Sequence, residues 1–206
     1  MKSNLVSLCL CGKVFMKASI LILLLSISYL TSLAQVSFGV KGGINLNCIV
    51  TKDIPSSFPS IQSEMAVGFH IGLFSQIKLT NRLNLIPEFQ YSQRGAKYNS
   101  GSMNININYL ELPIMASYSI KSFALDFGPQ LAYRLSSTVD AYKDFEFGLV
   151  GGVRFNFAKD FFVTGRYYYG VTAISEIAFS GSNGQSFSNG LEYSRSIQVG
   201  VGYKIK

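Results

Sequence analysis

The residues able to do chemistry are few and regularly placed. The chain has one histidine, His70. One imidazole excludes HExxH zinc sites and two-histidine iron sites, since each needs a second. As a general base or pH sensor, His70 would need a nucleophile or a carboxylate beside it. No stretch of sequence sets a serine and an acidic residue in an obvious relation to it, so it reads as a hydrogen-bonded interior residue. The acidic residues never cluster as an oxygen cage, which excludes structural calcium. Gly39-x-x-Gly42-Gly43 and Gly148-x-x-Gly151-Gly152 have the spacing of phosphate loops, but a phosphate loop opens a helix. Both lie in strand-like sequence, where glycine serves curvature and close packing. Tyr167-Tyr168-Tyr169 is split between two faces by alternation, which argues against a sugar-stacking platform. No catalytic, metal or cofactor site is expected.

The charged residues say more. Lys41, Lys78, Arg94, Arg134, Arg154 and Arg166, with Glu88, Glu111, Asp126, Glu146 and Glu192, all fall on one phase of a two-residue alternation. Six cations and five anions share that face. If it lines a confined space, isolated charges there are costly, so they should pair and hydrogen-bond across it. Arginine is the natural organiser, because its planar fork can bridge two carboxylates.

Eight stretches of period 2 must position these residues: 36–46, 65–79, 83–94, 106–118, 123–135, 144–157, 161–172 and 191–205. In the first, Val36, Phe38, Val40, Ile44 and Leu46 alternate with Ser37, Gly39, Lys41, Gly43 and Asn45. In the fourth, Ile105 and Ile107 are out of phase with Leu110, Leu112 and Ile114, which predicts a bulge or a later start. Each stretch is about 11–15 residues long, against about 5–6 for an ordinary strand and about 9–11 for a tilted membrane strand. Connections alternate in length. Long ones fall at about 47–64, 95–105, 136–143 and 173–190, and short ones at 80–82, 119–121 and 158–160. This predicts an all-β fold, an eight-stranded antiparallel up-and-down transmembrane β-barrel with short periplasmic turns and long external loops. The long loops, as in Gly181–Gly190, are rich in Ser, Asn and Gly and are expected to be solvated and mobile.

Alternation alone fits either a membrane barrel or a soluble lipocalin-like barrel. Three features favour the membrane. The apolar face carries almost no charge, Arg195 being the clear exception. The polar face mixes charges with glycines such as Gly39, Gly68, Gly128, Gly148, Gly200 and Gly202, which suit a narrow interior better than a watery exterior. Tyr118, Tyr133, Tyr169, Tyr193 and Tyr203 fall near strand ends on the apolar face, as an interfacial girdle would.

Composition agrees. Of 206 residues, 14% are charged and 14% aromatic, with no Trp. An average soluble domain is about 25% charged, so a disordered chain, a coiled coil and a typical cytosolic enzyme are excluded. Residues 18–30 form an apolar run of about a dozen residues, too short for a helical span. Lys2, Lys13 and Lys17 precede it, and Ser32-Leu33-Ala34 offers small-x-small before Gln35. This is a secretory signal peptide over 1–34, cleaved between Ala34 and Gln35, with 35–206 as the barrel domain. Met16-Lys17 would itself open such a signal, so 1–15 reads as an upstream start extension. Cys9 and Cys11 lie on the wrong side of the apolar run for lipidation. Mature Cys48 stands alone, without an intrachain disulfide. Losing three lysines takes the formal charge from +7 to +4, and with no basic stripe a nucleic-acid partner is excluded.

Phe38-Gly-Val-Lys-Gly-Gly-Ile-Asn-Leu-Asn47, Pro87-Glu-Phe-Gln-Tyr-Ser-Gln-Arg-Gly95, Tyr109-Leu-Glu-Leu-Pro-Ile114 and Phe127-Gly-Pro129 together resemble the PorT-type outer-membrane β-barrel proteins of Bacteroidetes. The resemblance covers about residues 35–206. It implies an eight-stranded outer-membrane barrel but no single activity, since the namesake's link to type IX secretion is not shared by all paralogues. The expected partners are outer-membrane lipid, the barrel assembly machinery, and a protein or surface met through the external loops. The expected role is non-enzymatic, structural or interactive, through four loops around a closed lumen. An accessory role in secretion or envelope assembly, a small-solute porin and a barrel enzyme are the alternatives.

Overall fold

The alternation is realised as strands that turn one phase in and the other out. A computed structural model of the chain describes residues 35–52, 63–98, 103–139, 142–180 and 186–205. The segment expected to be a signal peptide, with Ala34, and residues 181–185 of the Gly181–Gly190 loop lie outside the described residues. The strands are β1 Val36–Lys52, β2 Glu64–Lys78, β3 Leu83–Tyr98, β4 Met103–Ile120, β5 Phe123–Ser137, β6 Phe145–Asn156, β7 Phe161–Gly170, β8 Ser175–Ser180 and β9 Ser186–Ile205. They form one antiparallel sheet in the order β1-β2-β3-β4-β5-β6-β7-β9. The ring closes where β1 pairs β9, from Phe38 opposite Ile205 to Lys52 opposite Leu191. The result is a closed eight-stranded barrel. The short β8 lies outside the ring and pairs with the beginning of β9.

The phases are sharply sorted. Val67 is 65% exposed and Phe127 60%, whereas Glu111 is fully buried and Arg94 is 2% exposed. Large apolar side chains cover the outside and charges fill the inside, the reverse of a water-soluble protein. Only a lipid surround makes that face favourable, and closure leaves no unpaired strand edge within the ring.

One end of the barrel carries tight turns. Residues 79–82 form a turn in which Thr80 Oγ1 accepts from Leu83 N at 3.0 Å. Lys121-Ser122 is a two-residue hairpin turn with Lys121 at φ 54°, a left-handed value that such tight hairpins demand. The other end carries the longer connections, but they are shorter than the sequence implies. Strands β1, β3 and β4 continue well past the expected limits, so 47–52, 95–98 and 103–105 are strand, and the 173–190 loop contains β8 and the start of β9.

Ile105 and Ile107 require a correction. β4 has neither a late start nor a bulge there, since it pairs with β3 without interruption from Tyr98–Met103 to Arg94–Ile107. Both isoleucines point inward. They pack with Ile49, Ala96, Tyr109, Ala132, Tyr142 and Ile174 as an apolar plug at the loop end. The irregularity lies one strand over, where Asn108 pairs Ser136 but Tyr109 pairs Arg134, leaving Leu135 as the extra residue of β5.

Candidate functional site

Five inward-pointing side chains from five strands form a chain of ion pairs in the turn-end half of the lumen. Arg166 of β7 holds Glu88 of β3 with both guanidinium nitrogens, Nη1 to Oε2 at 2.8 Å and Nη2 to Oε1 at 3.0 Å. Lys41 of β1 donates to the same carboxylate. Arg166 Nη2 reaches Asp126 of β5 at 3.4 Å, and Arg154 of β6 donates to Asp126 at 2.6 Å. In the ring order β3 and β7 are four strands apart, directly opposite in an eight-stranded barrel. The Arg166–Glu88 pair therefore crosses the full lumen.

A second cluster lies nearer the loop end. Arg94 of β3 donates through Nε to Glu111 at 2.6 Å, and through Nη1 to Glu146 of β6 at 3.0 Å and Ser194 of β9 at 3.3 Å. Its guanidinium lies over the rings of Tyr168, at 4.1 Å, and Tyr109, at 4.7 Å. Gln90 donates to the other oxygen of Glu111. With every group ionised, the first cluster holds three cations and two anions, and the second one cation and two anions. The two excesses cancel, leaving the paired lumen neutral.

Three residues expected in this network sit elsewhere. Lys78 is exposed at the turn end of β2, beyond the last layer of lumen side chains. Arg134 lies at the loop-end rim and pairs with Asp144 at 2.6 Å, where it also donates its backbone N–H to the Asp144 carbonyl. Glu192 is buried beneath the rim and accepts from Tyr98 Oη at 3.4 Å. Burial, with the Glu192 carboxylate adding to it, pushes the nearby Tyr142 phenol well above its ordinary range. A common phase places residues on one face but not at one height, and height decides membership.

Large side chains packed opposite glycines fill further parts of the lumen. A Cβ on Gly202 would collide with the Phe162 ring, and one on Gly148 with the Tyr168 ring. His70 is wedged between Gly43 and Gly200, where an added Cβ would come within 2.8 and 2.9 Å of the imidazole. Its Nδ1 lies 2.7 Å from Asn45 Oδ1. His70 is 3% exposed, enclosed by side chains and backbone of the barrel itself. Among the described residues no group of three or more His, Cys, Asp or Glu could hold a metal ion. The sequence reading missed Tyr109 and Tyr168 as partners of Arg94, and Asp144 as partner of Arg134. Ile105, Ile107 and Tyr109 share the phase of Glu111, and that shared phase was the available sign of an aromatic and aliphatic filling.

Ion pairs buried inside an apolar outer wall are the geometry of a small outer-membrane barrel. Residues 31–176, more than half of the chain, match the family model described as outer membrane protein beta-barrel domain. The chain belongs to this family. Membership places the protein in the outer membrane. No curated protein matches the sequence. Among solved structures the barrel is similar to Neisserial surface protein A, NspA, with a TM-score of 0.50 and 14% identity over 82% of this chain and 99% of that one. It is also similar to Ail, the attachment invasion locus protein of Yersinia pestis, with a TM-score of 0.46 and 13% identity over 82% and 98% of the two chains. OprG of Pseudomonas aeruginosa gives a TM-score of 0.44 and 13% identity over 82% and 95%. At these identities the likeness concerns the fold alone.

Proposed function

We propose that this outer-membrane barrel is a closed, non-enzymatic scaffold whose role is to hold its loop-end rim and loops outside the cell. The observation that carries this reading is the Arg166–Glu88 pair across the lumen, with Lys41, Asp126 and Arg154 attached to it. A solute would have to break buried ion pairs to pass, and leaving one partner of such a pair uncompensated costs about 3–5 kcal/mol. That argues against the porin alternative. His70, packed against glycines and hydrogen-bonded to Asn45, argues against an enzyme. Residues 1–34 would direct export and be removed before Gln35, after which the barrel assembly machinery would insert 35–206. Within the family, placement beside PorT-type proteins rests on the motifs at 38–47, 87–95, 109–114 and 127–129. A secretion-linked role would use the same rim through a partner protein. Liposome swelling tests the reading: vesicles containing the folded protein should swell in small sugars no faster than empty ones, and rapid swelling would establish a solute path.

A further inference from the structure

Arg195 breaks the pattern of the outer face. It stands in the outward phase of β9 between Tyr193 and Ile197, opposite Cys48 of β1 and Tyr169 of β7. Its guanidinium lies 3.6 Å from the centroid of the Tyr169 ring and 5.9 Å from that of Tyr193. Nη1 donates to the carbonyls of Gly170 at 2.8 Å and Ser194 at 2.7 Å, and the residue is only 7% exposed. Lys52, exposed at the loop end of β1, lies over the Tyr193 ring at 5.0 Å. Three adjacent strands thus gather two cations and two tyrosines at one place on the rim. Among the described residues neither cation takes part in a salt bridge. Of the acidic residues near Arg195, Glu192 is buried beneath the rim with Tyr98, and Glu146 is held inside the barrel by Arg94.

We propose that Arg195, Lys52, Tyr193 and Tyr169 form a binding site for the phosphorylated headgroup of an outer-leaflet lipid. The proposal rests on the reading that the loop end lies in the outer leaflet. A cation on the lipid face of a barrel costs about 2–4 kcal/mol at the midplane and about 0–1 kcal/mol near the interface. On that reading Arg195, stacked on Tyr169 toward the loop end of the barrel, sits where that cost is small. Two like charges flanking one ring repel each other, and an anion between them removes the repulsion. A stacked guanidinium is already ordered, so little rotamer freedom is lost when it binds. A purely structural staple would use Arg195, its carbonyls and Tyr169, and would have no use for Lys52. The surrounding side chains select the source of the phosphate. Val50 and Ile197 flank the patch and are exposed on the apolar face, so a ligand seated there carries acyl chains beside its charge.

The test is native mass spectrometry of the folded mature protein in detergent. It is titrated with a phosphorylated glucosamine-disaccharide lipid, the same lipid without phosphate, and inorganic phosphate. The phosphorylated lipid should be retained about tenfold better than its dephosphorylated form, the scale of one charge-assisted hydrogen bond. The double variant Arg195→Gln/Lys52→Gln should lose about that factor while keeping the heat-modifiable migration of a folded barrel. Lys52→Gln alone, at an exposed side chain, should lose about threefold and serves if the double variant does not fold. Unchanged retention by these variants, equal retention of the dephosphorylated lipid, or displacement by inorganic phosphate at the lipid's own concentration would each overturn the proposal. Ion conduction by the lumen would overturn the closed-scaffold reading and leave this result untouched.

Discussion

Arg166 and Glu88 face each other from opposite walls of the barrel and are joined by two hydrogen bonds of 2.8 and 3.0 Å. Neighbouring strands can pair charges without closing anything. A pair between strands four apart cannot form unless the lumen narrows to the reach of two side chains. The polar filling of this barrel is therefore also its cross-bracing.

Removing both partners should cost less than the two single losses added together. Glu88→Gln leaves Lys41 and Arg166 buried without their shared carboxylate, and unfolding by urea in lipid vesicles should show a loss of about 3–5 kcal/mol. The double variant Glu88→Gln/Arg166→Gln should lose less than the sum of its two single variants. Additive losses would mean that the pair is energetically independent.

The glycine-for-ring exchanges should be reciprocal. Gly202→Ala drives a methyl group into the Phe162 ring, and overpacking of this kind costs about 1–3 kcal/mol. Adding Phe162→Leu should recover part of that loss. Equal stability of Gly202→Ala and the wild type, read from the temperature of the heat-modifiable gel shift, would show that the ring has room to move.

Filling at the loop end should be separable from the membrane-spanning wall. Ile107→Ala, or truncation of Ile174, opens the apolar plug and should cost about 2–5 kcal/mol of local stability. Limited proteolysis should then cut the 138–144 and 171–174 connections sooner, while the barrel still migrates as folded. Unchanged cleavage would show that the plug does not restrain these connections.

What is readable in the sequence is what is local. Period 2 is set residue by residue, so the strand phases and the shared face of Glu88, Asp126, Arg154 and Arg166 can be read without any tertiary knowledge. Partners are not local. That Arg166 meets Glu88, and Arg94 meets Glu146, depends on ring closure between β1 and β9. Height is not local either. Lys78 has the same phase as Lys41 yet emerges at the turn end, and Arg134 lies beside the extra residue Leu135 at the rim. Ile105 and Ile107 look out of phase only if the interior is assumed to be polar throughout. Above the charged layers the barrel is filled like an ordinary protein core, and inward isoleucine is what such a core requires.

Processing makes a simple prediction. Mass spectrometry of the protein isolated from outer membranes should find Gln35 as its first residue. Recovery of residues 18–30 in the membrane-embedded protein would contradict cleavage after Ala34.

Ion conduction separates a closed scaffold from a channel, and planar-bilayer recording of the purified, folded barrel measures it. Two ion-paired clusters and an apolar plug in series predict a silent baseline at every applied voltage, with no reproducible steps. Stable nanosiemens-scale steps from the wild-type protein would show an open path and make the barrel a channel.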